Sequence, residues 1–529
     1  MALPERRLFQ DLHNTGDRLH GSPLLPAIPL AIATSNPGKL DRFQQVSPPD
    51  ASIISIKPLF DEDEIKAQIG ISEEDGYAYT AGISRTKLQI QREALKKVEG
   101  STTDYTVIVS DSVVLVPDGE NMVAINRDGM TDEKREAVME HVNRERQITY
   151  VGALSFGRKN GQAAYTVLTF CTVPLDQPIT SYPLEVKDLP TIQDKTRDIE
   201  VGYIEYRLDK AQGFVSTHRT IETTQDFEKA RPYISGITPE IMALANDFGR
   251  FDALTGPITS TLVGKNPFNT LTPHGEVGSS NQYALQKYYE KLIEQRQTYF
   301  DANGGNCTLF SLALADKLQE AGLDPQVIIY PSTVPDQNDG HSGLLVSQGE
   351  RKYWFDPGLS LTHAVPIDRI PLVPFVSGSK SLSVGAVPDE TDPRQLPDIH
   401  LQGPDGRIRA FSVKEIVTPS QFEELAPGIL QRLHQGRRTL KLDYHTENGT
   451  RVIGFALDAR TERLKIRHPN VDVKDMSLGD FLAVPAKRAG LGWWCHQNGV
   501  DFSYILDQLL AVQRQRAIES DEIVLFPGK

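Results

Sequence analysis

Three residues in the second half of the chain have the types and contexts of a thiol site: Cys307, His341 and Asp356. Cys307 follows Gly304-Gly305-Asn306 and opens the apolar run Thr308-Leu-Phe-Ser-Leu-Ala-Leu314. The two glycines break the preceding helix, so a new helix starts at the cysteine. A thiol there sits at the positive end of the macrodipole, which favours the nucleophilic thiolate. His341 stands in Asp339-Gly-His-Ser-Gly-Leu-Leu-Val346, at the start of a strand, and Asp356 ends the next one in Tyr353-Trp-Phe-Asp-Pro-Gly358. A turn at Gln348-Gly349 that pairs these strands brings the histidine and the carboxylate to one end of a hairpin. That supplies a base oriented by a third group. Taken singly, each residue is more often a packing, capping or turn residue; in this order and these contexts they form a candidate Cys-His-Asp triad. Cys171, inside an apolar strand, and Cys495, after Trp493-Trp494, read as packing.

A second constellation lies near the start. Thr34-Ser-Asn36-Pro-Gly-Lys39 occupies a strand-to-helix turn, where hydroxyls, backbone amides and a lysine can hold phosphate oxygens. Asp111 ends a β-prone run, Tyr105 to Ser110, and a carboxylate placed there can ligate magnesium or activate water. The acidic run Asp61-Glu-Asp-Glu64 offers a further ligand, and equally reads as a solvated loop.

These residues need elements to position them. Residues 28–34 read as a buried strand before the turn, 80–99 and 132–144 as helices, and 148–156 with 163–173 as a hairpin. This alternation implies a mixed α/β domain over 28–250, after a leader at 1–27. Residues 251–280, rich in Gly, Pro, Ser and Thr, read as a linker. The thiol core spans 281–375, with helices at 282–300 and 307–321 and strands at 324–330, 342–347 and 352–355. A β-rich extension follows over 376–529, with strands at 439–444, 451–457 and 464–466 and a closing helix at 503–516. The fold class is thus multidomain, α/β followed by α+β, in line with the about three domains that 529 residues suggest.

Composition narrows the partners. A formal charge of −14, without a long Lys/Arg cluster, argues against binding long nucleic acids. Three scattered cysteines form neither a disulfide framework nor a zinc pattern and fit a reducing compartment, so cytoplasm is the expected location. The apolar stretch 23–33 contains prolines and is too short to span a bilayer, so no membrane partner is expected.

Two resemblances add to this reading. Gly-Gly-x-Cys, Gly-His-x-x-Leu-Leu-Val and Tyr-x-x-Asp-x-Gly look like the arylamine N-acetyltransferase and transglutaminase-like superfamily over roughly 265–375. The turn Pro357-Gly-Leu-Ser and Ala364-Val-Pro-Ile367 are also similar to it. The resemblance implies a papain-like core and ping-pong acyl transfer through Cys307. Ala302-Asn303 stand where an arginine usually precedes the glycines, so the acyl donor stays open between acetyl-CoA, a glutamine side chain and a peptide bond.

The segment 28–250 resembles the inosine-triphosphate pyrophosphatase family at Ala33-Thr-Ser-Asn-Pro-Gly-Lys39. It resembles the Maf-type nucleotide pyrophosphatases at Ser110-Asp-Ser-Val-Val-Leu-Val-Pro-Asp-Gly119 and Thr149-Tyr-Val-Gly-Ala-Leu154. This implies that Thr34, Asn36 and Lys39 bind a nucleoside triphosphate with help from Lys87, while Asp111 and Glu64 handle Mg2+ and water. Ser216-Thr-His-Arg219 is similar to the first family's base-recognition segment with one residue inserted. Ile125-Asn-Arg127 replaces the Maf-type Gly-Lys-Pro, and the relatives often form homodimers.

The combined expectation is a bifunctional enzyme, a cysteine-dependent acyltransferase fused to a nucleotide pyrophosphatase-like domain. Its partners would be a small-molecule or peptide acyl donor (acyl-CoA among them), an amine acceptor and a nucleoside triphosphate. Two alternatives stand beside it: a magnesium-dependent triphosphate pyrophosphatase with an inactive C-terminal scaffold, and a non-enzymatic two-module binding protein.

Overall fold

The computed structural model describes residues 25–510 apart from short internal segments, the longest being 271–281, 331–340 and 385–398. The expected leader falls almost wholly outside them, as does the end of the closing helix, which is helical over 502–510. Among the described residues no helix is long and apolar enough to cross a membrane.

An eight-stranded sheet organises the first half. Leu30–Ala33 runs parallel between Ile53–Ile56 and Thr106–Asp118. Gln147–Arg158, Tyr165–Pro174, Ile199–Asp209 and Gly213–Thr224 continue the sheet antiparallel, and Asn121–Ile125 folds back on Thr106–Asp118. All four residues of Leu30–Ala33 are buried, as a strand covered on both faces requires. Alternation assigns the two covers. Val151 and Ala153 face Tyr77 and Ile83 of the helix Gly76–Glu99, while Leu154 and Phe156 face Phe248 of the helix Pro239–Lys265.

Asp111, expected to end a strand, lies inside the 13-residue strand Thr106–Asp118. The antiparallel register runs through it, Asp111 opposite Ala153, while the parallel partner Leu30–Ala33 pairs only as far as Ile108. The carboxylate therefore stands where the parallel ladder stops, beside the turn after Ala33.

The expected linker at 251–280 is corrected in its first half. Residues 251–265 belong to the 27-residue helix Pro239–Lys265, whose N-terminus is capped by Thr238 Oγ1 on the Ile241 amide. Its apolar face, with Met242, Phe248, Phe251 and Leu262 buried, outweighs the Gly and Ser content. This helix joins the two halves. Phe248 packs edge-on against Phe156 and Tyr165 on one side, and Phe251 stacks on Tyr353 at 3.9 Å on the other. One continuous core runs from Leu30 to Phe355. Arg351 adds ion pairs to Asp247, at 2.9 Å, and to Asp368.

The second half holds three sheets among the described residues. The five-stranded one has the order Val365–Ile367, Arg351–Phe355, His341–Gln348, Pro325–Tyr330, Glu415–Val417, all antiparallel. The helix Cys307–Glu320 packs on it. The single helix expected at 282–300 is two, Gln282–Glu294 and Arg296–Asn303, broken at Gln295 (φ −108°, ψ 20°). Arg296 is drawn inward there to Asp316 and Glu423. A four-stranded sheet spans Phe375–Phe411, and a C-terminal sheet joins Thr439–His445, Arg451–Asp458, Arg463–His468 and Val471–Ser477 to the short strand Phe268–Asn269.

Candidate active site

Cys307 is the first residue of its helix, and Asn306 caps it. The Asn306 Oδ1 accepts from Thr308 N–H at 3.1 Å and Leu309 N–H at 3.3 Å. An asparagine just before an apolar helix is a capping signal in the sequence itself. The two glycines before it have separate reasons. Gly304 sits at φ +66°, and a Cβ there would lie 2.0 Å from Pro267 O; at Gly305 a Cβ would lie 2.6 Å from Leu309 Cβ. Cys307 is 4% exposed.

His341 begins its strand and Asp356 follows the last residue of Arg351–Phe355; the pairing of Leu344 with Phe355 brings them to the same end. His341 Nε2 meets Asp356 Oδ2 at 2.5 Å. The buried Asp356 spends its other oxygen on Leu359 N–H at 3.0 Å, which fixes the carboxylate plane. Burial alone would push the imidazole down. The Asp356 charge and hydrogen bond, with a hydrogen bond to and the charge of Cys307, override it and hold His341 up at about 10. An imidazolium between a carboxylate and a sulfur favours the thiolate. Cys171 and Cys495, buried away from such groups, are each pushed up to about 12.

Sequence reasoning missed two supports. Tyr330 lies opposite His341 across the strand pair, and its ring stacks on the imidazole at 5.6 Å and 25°. Residues 331–340 separate the two strands, so the register, and with it this contact, could not be counted from the sequence. Gly358 lies against Cys307: a Cβ there would be 2.9 Å from the cysteine Cβ. The conspicuous Asp-Pro-Gly was its signal.

The N-terminal residues gather differently from expectation. Asn36 Oδ1 caps Gly38 and Lys39 N–H groups, and Thr34 Oγ1 accepts from Asn36 N–H at 3.1 Å, so both serve the turn itself. Lys39 Nζ donates to Ser110 O at 3.2 Å, and Lys87 Nζ bridges Asp111 at 2.9 Å and Glu62 at 2.7 Å. Burial lowers Lys39, with Asp111 opposing; for Lys87 burial is outweighed by Asp111 and Glu62, which raise it. Glu64 stays apart and exposed, its own N–H on Asp61 Oδ1 at 3.3 Å, and Glu62 takes the place expected for it. His218, from the base-recognition-like segment, stacks on Phe170 at 4.2 Å and meets Tyr77 Oη at 2.5 Å.

A resident magnesium ion needs several oxygen donors free to face it. Among the described residues no three His, Cys, Asp or Glu side chains cluster that way, and Asp111 and Glu62 are both already paired to Lys87. The described residues thus present no preformed protein cage for that ion.

No protein-family model matches the chain, and no curated protein matches it. Among solved structures it is similar to the M. smegmatis arylamine N-acetyl transferase, with 15% identity, 49% of this chain and 90% of that chain covered, and a TM-score of 0.30. It is also similar to the arylamine N-acetyltransferase from Mycobacterium abscessus, with 17% identity, 48% and 87% covered, and a TM-score of 0.30. A third is the Bacillus cereus arylamine N-acetyltransferase described as having a Cys-His-Glu triad, with 14% identity, 42% and 84% covered, and a TM-score of 0.28. These are distant likenesses, and the chemistry of the site stands on its own distances. Nothing in them shows the nucleotide pyrophosphatase likeness of the N-terminal half.

Proposed function

We propose that the chain is a cysteine-dependent acyltransferase, with Cys307 as nucleophile, His341 as acid and base, and Asp356 as the group that orients it. The observation that carries this is His341, held between Asp356 and Cys307 and raised to about 10. In the first half-reaction the Cys307 thiolate bonds to the acyl carbon. The leaving group departs with the electron pair of the broken bond and takes the His341 proton. In the second half-reaction an amine attacks the thioester, His341 takes the amine proton, and the thiolate leaves. The Cys307 amide at the helix N-terminus lies on the positive end of the dipole, where the developing oxyanion is stabilised. Incubation with an activated acetyl ester or acetyl-CoA should add one acetyl group to the Cys307 peptide, discharged by an arylamine. No adduct in wild type, or an equal one in Cys307→Ala, would overturn the reading.

A second reading concerns the N-terminal half. The Lys39 and Lys87 ammonium groups, gathered at the turn after Ala33 with Asp111 and Glu62 on Lys87, offer donors that a phosphate ester could take over from those carboxylates, with a nucleoside triphosphate as the substrate class. Pyrophosphate release lost in Lys87→Met and in Asp111→Asn would support hydrolysis. Binding without release would leave a nucleotide-binding module.

A further inference from the structure

The C-terminal sheet touches the thiol centre from two sides. On the cysteine side, its edge strand Phe268–Asn269 pairs with Thr439–His445 and also bridges to Gly305, two residues before Cys307. Asn269 N–H donates to Gly305 O at 2.8 Å, and Gly305 N–H to Pro267 O at 3.1 Å. On the acid side, the turn between Thr439–His445 and Arg451–Asp458 reaches the loop after Asp356. His445 Nε2 meets Ser360 Oγ at 3.0 Å. Gly449, at φ +75°, comes so near that a Cβ there would lie 2.6 Å from Ser360 O. The same turn rests on the central helix, where a Cβ at Gly264 would lie 2.8 Å from Glu447 N.

Ser360 is the residue that needs holding. It adopts the left-handed region at φ 66°, uncommon for a residue with a Cβ. Its N–H donates to Pro357 O at 2.9 Å, and the next one, from Leu361, donates to Asp356 O at 3.2 Å. This left-handed step closes the short turn that fixes the Asp356 carboxylate and seats Gly358 on Cys307. Such a conformation persists where the surroundings over-determine it. His445 on the side chain and Gly449 under the carbonyl are those surroundings.

We infer that the C-terminal sheet is a working part of the thiol centre, with His445 as a positioning residue that holds the Asp356–Leu361 loop through Ser360. The inference deepens the acyl-transfer reading and rests on it for its reactivity readout. It gives the C-terminal extension a role in the chemistry, since without its hairpin turn Asp356 and Gly358 lose their fixed relation to His341 and Cys307.

The test uses the full chain as wild type, His445→Ala, His445→Gln, Ser360→Ala and the double variant His445→Ala/Ser360→Ala. The first readout is the pH profile of Cys307 alkylation by iodoacetamide, followed by peptide mass spectrometry. The second is hydrogen exchange in the peptide carrying the Leu359 and Leu361 amides. His445→Ala should slow alkylation in mild acid roughly 3- to 10-fold, the reach of one net hydrogen bond, and move the profile toward that of an ordinary thiol. It should also speed exchange of the two amides. His445→Gln, which can still hydrogen-bond Ser360, should restore most of both effects, and the double variant should be no worse than either single one. Where wild-type Cys307 alkylates faster than Cys171, a folded His445→Ala with an unchanged alkylation profile overturns the inference, even if exchange rises, because the tie is then only packing. A wild-type Cys307 that alkylates no faster than Cys171 overturns the acyl-transfer reading instead. The exchange readout then decides alone whether His445 holds the loop.

Discussion

Gly358 and Cys307 are in backbone-to-side-chain contact: a Cβ on the glycine would lie 2.9 Å from the cysteine Cβ and 3.3 Å from Asp356 Oδ1. The glycine has no unusual φ, so the constraint there is space. Gly358→Ala must push the thiol or the loop aside. Displacing a reacting group by about 1 Å can cost about 100-fold in rate. The expected outcome is a folded protein whose single-turnover acylation by an activated ester falls by about that factor. A retained rate would mean the loop yields and the thiol stays.

His341 sets the pH behaviour. Its ordinary value is 6.5, and the folded protein holds it at about 10. A group raised on folding contributes stability that is complete below 6.5 and is lost as pH rises through about 10. Denaturant midpoints of wild type and His341→Gln should therefore differ most in mild acid and converge on the alkaline side. Alkylation gives an independent check. Cys307 should react well below the ~8.5 of an ordinary thiol, with Cys171 and Cys495 as slow internal standards, each pushed up to about 12. His341→Ala should erase the difference.

His363 predicts an acid limb. Burial, with Arg92 adding, pushes this imidazole down to about 4 from 6.5, in a site between Tyr165 and Phe375. The unfolded chain binds the proton first, so the contribution is complete above 6.5 and is lost as pH falls toward about 4. His363→Leu should flatten the loss of thermal stability across that window. An unchanged slope would assign it to other groups.

Phe251 tests whether the halves share one core. Its ring stacks on Tyr353 at 3.9 Å and 10° and lies 6.0 Å from Phe355. Phe251→Ala should cost about 3–5 kcal/mol, and tryptophan fluorescence from Trp354 should report the same lowered midpoint as exchange in strand Tyr165–Pro174. Separate midpoints would make the halves independent.

What the sequence disclosed and withheld follows from the range of the interactions. Cys307, His341 and Asp356 were legible because each sits at a strand or helix end marked by local punctuation: Gly-Gly-Asn, Asp-Gly and Asp-Pro-Gly. The strands flanking His341 and Asp356 were legible from composition. Tyr330 and His445 were not, since a stacking partner and a loop support are fixed by strand register and by a sheet more than 80 positions away along the chain (|i−j| = 85 for Ser360 and His445). The family resemblance singled out Glu64 in the acidic run, whereas the loop's path sets Glu62 on Lys87. The helix Pro239–Lys265 was hidden in part by Gly, Ser and Pro content that suggests a linker, because burial on both sides overrides weak local propensity. Pro257 is accommodated within it.

That same helix decides how the gene can be divided. A fragment starting after it would carry the triad but leave bare the rings of Tyr353 and Phe355, which Phe251 covers, and would lose the Gly264 seat for the hairpin turn bearing His445. A fragment ending before it would uncover Phe156 and Tyr165. The two halves of this chain are thus not beads on a string. They share a spine, so shuffling one half onto another protein would have to carry the helix with it and recreate the face it leaves behind.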